Sequence, residues 1–161
     1  MAHIHTLPGQ IDQTVETFIV DVNTKRILLR KHDKLKIWLS VGGHIELDET
    51  APDAALREVK EEVGIEVELW EDYCQEGNFP NTPTEKNILP PFRMYIHPVN
   101  ENHRHVVHIY YAKALTTDIV EQEDEKSDEI KWWTKEEVET SPDLINNVRW
   151  YALDALDKLS K

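Results

Sequence analysis

Apolar and polar residues alternate along several short stretches of the chain, and this period of two predicts β-strands. The predicted strands are residues 14–22, 26–32, 38–39, 65–73, 93–99, 105–114 and 129–134. A short Asn23-Thr24 turn joins the first two, and residues 100–102 form the turn of a predicted hairpin. The sequence therefore predicts a fold that contains a β-sheet of several strands.

Residues 51–63 instead have the signals of an amphipathic helix. Thr50 and Asp53 match a capping box, and Pro52 is tolerated in the first turn, where backbone N–H groups have no helical partner. Gly64 supplies the left-handed residue that commonly ends a helix. A helical turn is also predicted at 135–139.

The chain ends in a second predicted main helix over residues 141–160. Ser141 is its predicted N-cap, and Pro142 lies at its start. Its predicted core contacts are Leu144, Val148, Tyr151, Leu153, Leu156 and Leu159.

One edge of the first helix is acidic, because Glu58, Glu61 and Glu62 fall within an arc roughly 100° wide. Arg57 can offset one of these charges by pairing with Glu61 at i+4. Converging carboxylates suit a hard divalent cation, and a solvated acidic helix face is the alternative. The separate arc predicted to face the core contains Ala55, Leu56, Val59 and Val63.

The segment around this helix carries a longer pattern, GHIELDETAPDAALREVKEEVGI at residues 43–65. Its fixed positions are Gly43, Glu49, Arg57, Glu58, Glu61, Glu62 and Gly64, with apolar Val59 and Ile65. This pattern resembles the Nudix box, and every defining position is matched. Residues 38–42 resemble the family's lead-in, although Val41 stands where a proline is usual.

The Nudix resemblance implies an α/β/α sandwich with a mixed central sheet, and we expect residues 1–161 to form one domain. It also implies a loop–helix–loop that holds Mg²⁺ or Mn²⁺ through Glu58, Glu61, Glu62 and the carbonyl of Gly42. Arg57 matches the residue that orients these glutamates, and Glu49 a supporting acid. Glu61 and these two residues are the expected catalytic set.

The implied reaction is water attack on a phosphorus of a nucleoside diphosphate linked to another group. Family members differ in the carboxylate that deprotonates the water. Some use a box glutamate, and others use a glutamate on a downstream loop. The downstream candidates are Glu121, Glu123 and Glu125, for which a solvated acidic loop is the alternative.

Residues 74–92 interrupt the strand pattern with four prolines, and we expect this loop to help select the substrate. Phe79 and Phe92 are candidates for stacking on a base, and packing of the loop onto the body of the protein is the alternative. His103, Arg104 and His105 are candidates for contacts with substrate phosphate, against simple sheet packing. On a strand, His103 and His105 share one face and His108 the other, so the three histidines do not meet at one ion.

The amino-acid composition limits the classes of molecule that this chain is expected to bind. A net charge of −13, from 31 acidic against 18 basic residues, repels long nucleic acid and anionic membranes. No apolar stretch is long enough to span a bilayer, and no secretory signal is recognisable. The single cysteine, Cys74, fits a reducing cytoplasm. A small nucleotide derivative is the expected partner. The sequence leaves the oligomeric state open, and a homodimer is one option because dimers are frequent among relatives.

Two other classes of function are compatible with a Nudix-type fold. A binding or sensory module recognises a nucleotide without cleaving it, but such modules usually lose box acids and none is lost here. A prenyl diphosphate isomerase needs a cysteine ahead of the box, whereas Cys74 follows it. Under the hydrolase hypothesis, Glu62→Gln is expected to remove most turnover and to leave the protein folded.

Overall fold

The computed structural model describes residues 7, 9–74, 80–121 and 127–161. Its strands are β1 (Ile11–Asp21), β2 (Arg26–Lys31), β3 (Trp38–Leu39), β4 (Val41–His44), β5 (Val67–Leu69), β6 (Arg93–Asn100), β7 (His103–Ala114) and β8 (Glu129–Thr134). Its helices are α1 (Ala51–Glu62), α2 (Lys135–Thr140) and α3 (Asn146–Leu159), with a 3₁₀ turn at Asp72–Cys74. Within this described part, no helix has both the length and the apolar character needed to cross a membrane.

The strands form one mixed sheet with the central order β3-β2-β1-β7-β5. β1 and β7 are parallel over ten residue pairs, from Ile11 opposite Arg104 to Val20 opposite Lys113. The other pairings are antiparallel: β4 adds to β1, β6 to β7 and β8 to β2. The predicted mixed sheet is thus confirmed.

Alternate residues of β1 pack against different helices. Val15 contacts the cluster that includes Ala54 and Ala55 of α1, whereas Phe18 belongs to the cluster that includes Val148 and Ala152 of α3. Because successive strand residues point to opposite faces, α1 and α3 cover opposite sides of the sheet. This arrangement is the predicted α/β/α sandwich.

Two strand predictions need correction. No strand was predicted over residues 41–44, but they pair with β1, placing His44 opposite Thr14. The predicted strand 65–73 is shorter, because only Val67–Leu69 joins the sheet. After Trp70, whose N–H still donates to the carbonyl of Tyr111 at 2.8 Å, the chain bends into the 3₁₀ turn.

The C-terminal helix begins later than predicted. Ser141 ends α2, donating its N–H to Glu137, and α3 starts at Asn146 without a side-chain cap. The guanidinium of Arg149 explains the interruption, because it donates to backbone carbonyls at the end of α2 and in the segment that follows it. These carbonyls belong to Val138, Glu139, Ser141 and Leu144, at 2.5–3.2 Å.

Most of the predicted contacts of α3 are confirmed. The fully buried ones are Leu144, Val148, Leu156 and Leu159, whereas Tyr151 and Leu153 are only partly buried. On α1, Leu56 was wrongly predicted to face the core, since it is 42% exposed. The buried positions of α1 include the carboxylates Glu58 and Glu62 instead.

Candidate active site

The acidic edge of α1 is positioned by the two ends of the helix. At the N-terminus, the Thr50 hydroxyl accepts from the N–H of Asp53, and the Asp53 carboxylate accepts from the N–H of Thr50. At the other end, Gly64 adopts a positive φ of 66°. A Cβ at Gly64 would lie 2.2 Å from the carbonyl oxygen of Val120, so the residues before Glu121 pass close over this end. The predicted capping box and helix stop are confirmed.

A pair of glycines lets β4 approach both β1 and the acidic edge. A Cβ at Gly42 would lie 2.0 Å from the carbonyl oxygen of Val15. A Cβ at Gly43 would lie 2.2 Å from Oε1 of Glu58, whose carboxylate therefore rests against this backbone. The N–H of Gly42 donates to Oε2 of Glu62 at 3.0 Å. Two of the three acidic side chains thus lie beside one glycine pair.

Glu62 is fully buried, with 0% exposure, and is held by a cation from the sheet. Its Oε1 accepts from Nη2 of Arg30, which is itself buried on β2. Nη1 of Arg30 donates to the hydroxyl of Ser127 at 3.2 Å. A buried carboxylate needs such a partner, because transferring a charge from water into the protein interior costs several kcal/mol. Glu62 is therefore an internal ion-pair member rather than part of a solvated face.

Arg57 donates hydrogen bonds to the other carboxylates of the site. Its Nε and Nη2 donate to the two oxygens of Glu49 at 2.9 and 2.7 Å. Its Nη1 donates to Glu58 and to Glu61, both at 2.9 Å, which confirms the predicted i+4 pair. Nη2 also donates to the carbonyl of His44 at 3.0 Å. One guanidinium thus fixes three acids and the backbone at the start of the box.

These contacts set the protonation states around Arg57. Its hydrogen bond to Glu49, followed by its bonds to Glu58 and Glu61, raises the pKa of Arg57 above its usual value. The same hydrogen bond lowers the pKa of the Glu49 carboxyl. Arg57 and Glu49 are therefore both charged near neutral pH. Glu61 is the most accessible acid of the edge, with 40% of its side chain exposed, against 4% exposure for Glu58.

The downstream acidic segment reaches this region at its described ends. Glu121 accepts from the backbone N–H of Ser127 at 2.9 Å, and the hydroxyl of Ser127 accepts from Arg30. The N–H of Val120 donates to the carbonyl of Val63 at 3.0 Å. Glu123 and Glu125 lie outside the described residues. Glu121 and Ser127, the described residues on either side of this segment, are thus anchored beside the buried Arg30–Glu62 pair.

The described part of loop 74–92 is tied to the body of the protein. Tyr73 donates to the carbonyl of Pro90, and Tyr110 donates to the carbonyl of Leu89. Phe92 packs against Trp70 and Tyr111, with ring centroids 5.2 and 4.9 Å apart. Phe79 lies outside the described residues, so its predicted base contact stays a prediction.

The predicted phosphate contacts lie at the start of β7. His103 and His105 share the face opposite α1, as predicted, while Arg104 lies exposed between them. His108 is on the other face and contacts Gln13 at 2.8 Å. Burial, and then the neighbouring histidines 44, 103 and 97, lowers the pKa of His105 to about 4. His105 is therefore neutral near pH 7, which makes it a poor partner for a phosphate anion.

Several polar residues near these sites escaped the sequence analysis. Arg30 lies two residues after the buried Leu28 on β2, and this spacing marks a position on the α1 face. Glu16 accepts from Tyr95 and Ser40 at 2.7 and 3.2 Å, and burial raises its pKa. Asp12 is buried beside the histidines. A charged residue within a predicted strand or at its edge was the available signal in each case.

Comparison with known proteins agrees with the geometry. The NUDIX domain matches residues 12–159. A crystal structure of a hydrolase of the NUDIX family from Clostridium perfringens superposes with a TM-score of 0.77. It is 31% identical and covers 92% of this chain and 97% of that protein. The structure of the E. coli dihydroneopterin triphosphate pyrophosphohydrolase has a TM-score of 0.60, with 23% identity over 91% of this chain and 92% of that one, which supports the fold.

Curated relatives match over shorter stretches. The dihydroneopterin triphosphate diphosphatase of Escherichia coli K12 is 56% identical over 46 residues, which are 28% of this chain and 31% of that protein. The m7GpppN-mRNA hydrolase NUDT17 of Danio rerio is 39% identical over 64 residues, which are 37% of this chain and 21% of the relative. The matched stretches thus span a third or less of these relatives. With the domain match over most of its length, the chain belongs to the Nudix family.

Proposed function

We propose that this chain is a metal-dependent hydrolase that cleaves the phosphoanhydride bond of a nucleoside diphosphate linked to another moiety. The carrying observation is that Glu58 and Glu62 lie beside Gly42 and Gly43, while Arg57 joins Glu58 to Glu61. The curated relatives are named as a dihydroneopterin triphosphate diphosphatase and an m7GpppN-mRNA hydrolase, and both names describe hydrolases of the proposed class. A binding module without hydrolysis is the weaker alternative, because every box acid is retained.

The residues present fit a hard divalent ion such as Mg²⁺ or Mn²⁺. Carboxylate oxygens are the ligands that such ions prefer, and the glycine pair leaves room where a Cβ would collide with Glu58. When bound, the ion would neutralise charge on the diphosphate and lower the pKa of a water molecule. The residues proposed to hold it are Glu58, Glu61, Glu62 and the carbonyl of Gly42.

The chain's own residues have distinct proposed roles. Arg57 holds Glu58 and Glu61 in position, and Glu49 holds Arg57 through two hydrogen bonds. Glu61 is the proposed acceptor of the proton from the attacking water, because it is the most exposed of the three acids. Glu121 is the described alternative on the downstream segment, with Glu123 and Glu125 the other candidates.

The proposed substrate is small and phosphorylated. A net charge of −13 disfavours long nucleic acid and anionic membranes as partners. We further propose one domain over residues 1–161, with loop 74–92 and residues 103–105 contributing to substrate selection. The free Cys74 fits a cytoplasmic location.

Removal of divalent metal is expected to abolish turnover. The measurement is release of phosphate or nucleotide from a panel that includes dihydroneopterin triphosphate, ADP-ribose, a dinucleoside polyphosphate and a capped RNA oligonucleotide. Protein treated with chelator should be inactive on the whole panel, and added Mg²⁺ or Mn²⁺ should restore hydrolysis of at least one member. Undiminished turnover by fully demetallated protein would contradict the proposal.

Arg57→Ala is expected to lower kcat by about 10- to 100-fold, the usual loss when a residue that orients metal ligands is removed. Arg57→Lys should recover only part of this loss, because one ammonium cannot reproduce the forked contacts with Glu49 and Glu58. Lys60→Ala, an exposed change on the same helix, is the matched control. Equal kcat values for Arg57→Ala and Lys60→Ala would remove the positioning role.

A further inference from the structure

A second group of metal-ligating side chains lies on the sheet face opposite α1. Asp12 is near the start of β1, and His103 and His105 are at the start of β7. The parallel register sets Asp12 directly opposite His105, so side chains from two strands that are distant in sequence project from one corner of the sheet. We call Asp12, His103 and His105 the histidine cluster.

The ligating atoms of the histidine cluster converge closely. Oδ2 of Asp12 lies 3.0 Å from Nε2 of His103, and Nε2 of His103 lies 3.1 Å from Nε2 of His105. One ligand atom from each residue lies within 4.8 Å of both others. Ligands at about 2.0–2.1 Å from a tetrahedral ion are separated by roughly 3.3–3.4 Å. Two of the observed separations are slightly shorter than this and the third is within 4.8 Å, so the three atoms can surround one ion after a modest adjustment.

The surroundings keep these atoms in place. Asp12 is only 3% exposed, and the side chain of His103 is largely buried. Nε2 of His44, on β4, lies 3.4 Å from the same Asp12 oxygen, so His44 borders the cluster. The ring of His44 also packs edge-on against His105, with centroids 5.0 Å apart. Three neighbouring strands thus contribute to one preorganised, mostly buried site.

The donor set separates this cluster from the Nudix box. Two imidazole nitrogens and one carboxylate suit Zn²⁺ or Co²⁺, whereas Mg²⁺ prefers oxygen ligands. We propose that Asp12, His103 and His105 form a second metal site, selective for Zn²⁺-like ions and completed by His44 or water. The site is consistent with the expectation that His108 does not share an ion with His103 and His105, because Asp12 supplies the third ligand instead.

An ion at the histidine cluster would join elements that carry the proposed active site. It would tie β1 to β7 and, through His44, to β4. The carbonyl of His44 accepts from Arg57, so this corner of the sheet is connected to the residue that holds the acids of the Nudix box. The expected consequence is a higher Tm when Zn²⁺ is bound. The site does not depend on hydrolysis, so its failure and that of the proposed function are distinguishable.

The test is titration of the untagged full chain with Zn²⁺ in excess Mg²⁺, followed by calorimetry. Co²⁺ absorption provides a second reading of tetrahedral coordination. The wild type should bind one Zn²⁺ per chain at the cluster. Asp12→Asn and His105→Ala should weaken binding by at least about tenfold, since losing a direct ligand should cost no less than losing a residue that orients one. Both variants should also lose the Zn²⁺-dependent rise in Tm.

Two matched variants locate the ion. His108→Ala removes a histidine from the opposite face of the same strand, and Glu61→Gln removes an acid of the Nudix box. Both should bind Zn²⁺ like the wild type. The proposal fails if the wild type binds no Zn²⁺ in excess Mg²⁺, or if Glu61→Gln abolishes binding that Asp12→Asn and His105→Ala retain. Should His105→Ala not fold without metal, the nearly isosteric Asp12→Asn decides the outcome.

Discussion

Replacing Glu62 by glutamine is expected to lower the free energy of unfolding by about 3–5 kcal/mol. Glu62 is fully buried, and its carboxylate accepts hydrogen bonds from Arg30 and from the backbone of Gly42. Neutralising the carboxylate leaves the buried charge of Arg30 poorly compensated. The sequence alone led to the opposite expectation, namely a folded variant relieved of repulsion between like charges. Urea unfolding of the wild type and the variant, in chelator, measures the difference.

Two further variants isolate the cause of this destabilisation. Glu61→Gln makes the same chemical change one residue earlier, but on a side chain that is 40% exposed, so we expect a cost below about 1 kcal/mol. Arg30→Met combined with Glu62→Gln removes both charges and should recover much of the lost stability. If Glu62→Gln is as stable as Glu61→Gln, the buried ion pair contributes nothing and this interpretation is wrong.

The parts of the fold that follow from neighbouring residues were predictable. The ends of α1 depend on Thr50, Asp53 and Gly64, whose capping hydrogen bonds join residues only a few positions apart. Strand β8 was predicted with its observed bounds, Glu129–Thr134. The mixed sheet and its sandwich of helices followed from the resemblance of the box rather than from the strand pattern. Local signals thus determined elements, and family membership supplied their arrangement.

The errors share a physical origin in contacts between distant segments. Ser141 and Pro142 match a helix start, yet Arg149 binds the carbonyls of this segment and delays α3 to Asn146. Val41–His44 contains two glycines and reads as loop, yet β1 pairs with it. In both cases, tertiary hydrogen bonds override a local preference that is worth only about 1 kcal/mol.

The residues of the candidate site can likewise be divided into those that the sequence could place and those that it could not. The Glu58, Glu61 and Arg57 arrangement follows from helical spacing, so the sequence could place it. The partnership of Arg30 with Glu62 joins β2 to α1, and the partnership of Asp12 with His103 requires the parallel register of β1 and β7. No spacing rule connects such residues. An acidic or basic residue at an inward strand position indicates only that some partner is needed.

Glu58→Gln is expected to reduce turnover by about a thousandfold or more. Metal-assisted stabilisation of a phosphoryl transition state supplies several kcal/mol, and about 4 kcal/mol corresponds to three powers of ten in rate. Glu58 is 4% exposed, and its Oε1 accepts from Arg57 while lying against Gly43. Glutamine keeps the shape but lacks the charge that a divalent ion requires. Initial rates at saturating Mg²⁺, on the best member of the substrate panel, measure the loss.

Gly43→Ala provides a matched variant that leaves every charge in place. Its new Cβ would lie 2.2 Å from Oε1 of Glu58, so the carboxylate must move away from the glycine pair. Because the obstructed atom is the end of a flexible side chain, the fold should survive while turnover falls. Glu66→Gln, an exposed change just beyond the box, should leave turnover unchanged. If Glu58→Gln and Gly43→Ala both fold and turn over like Glu66→Gln, Glu58 does not hold the catalytic ion, and the proposed role of the acidic edge must be abandoned.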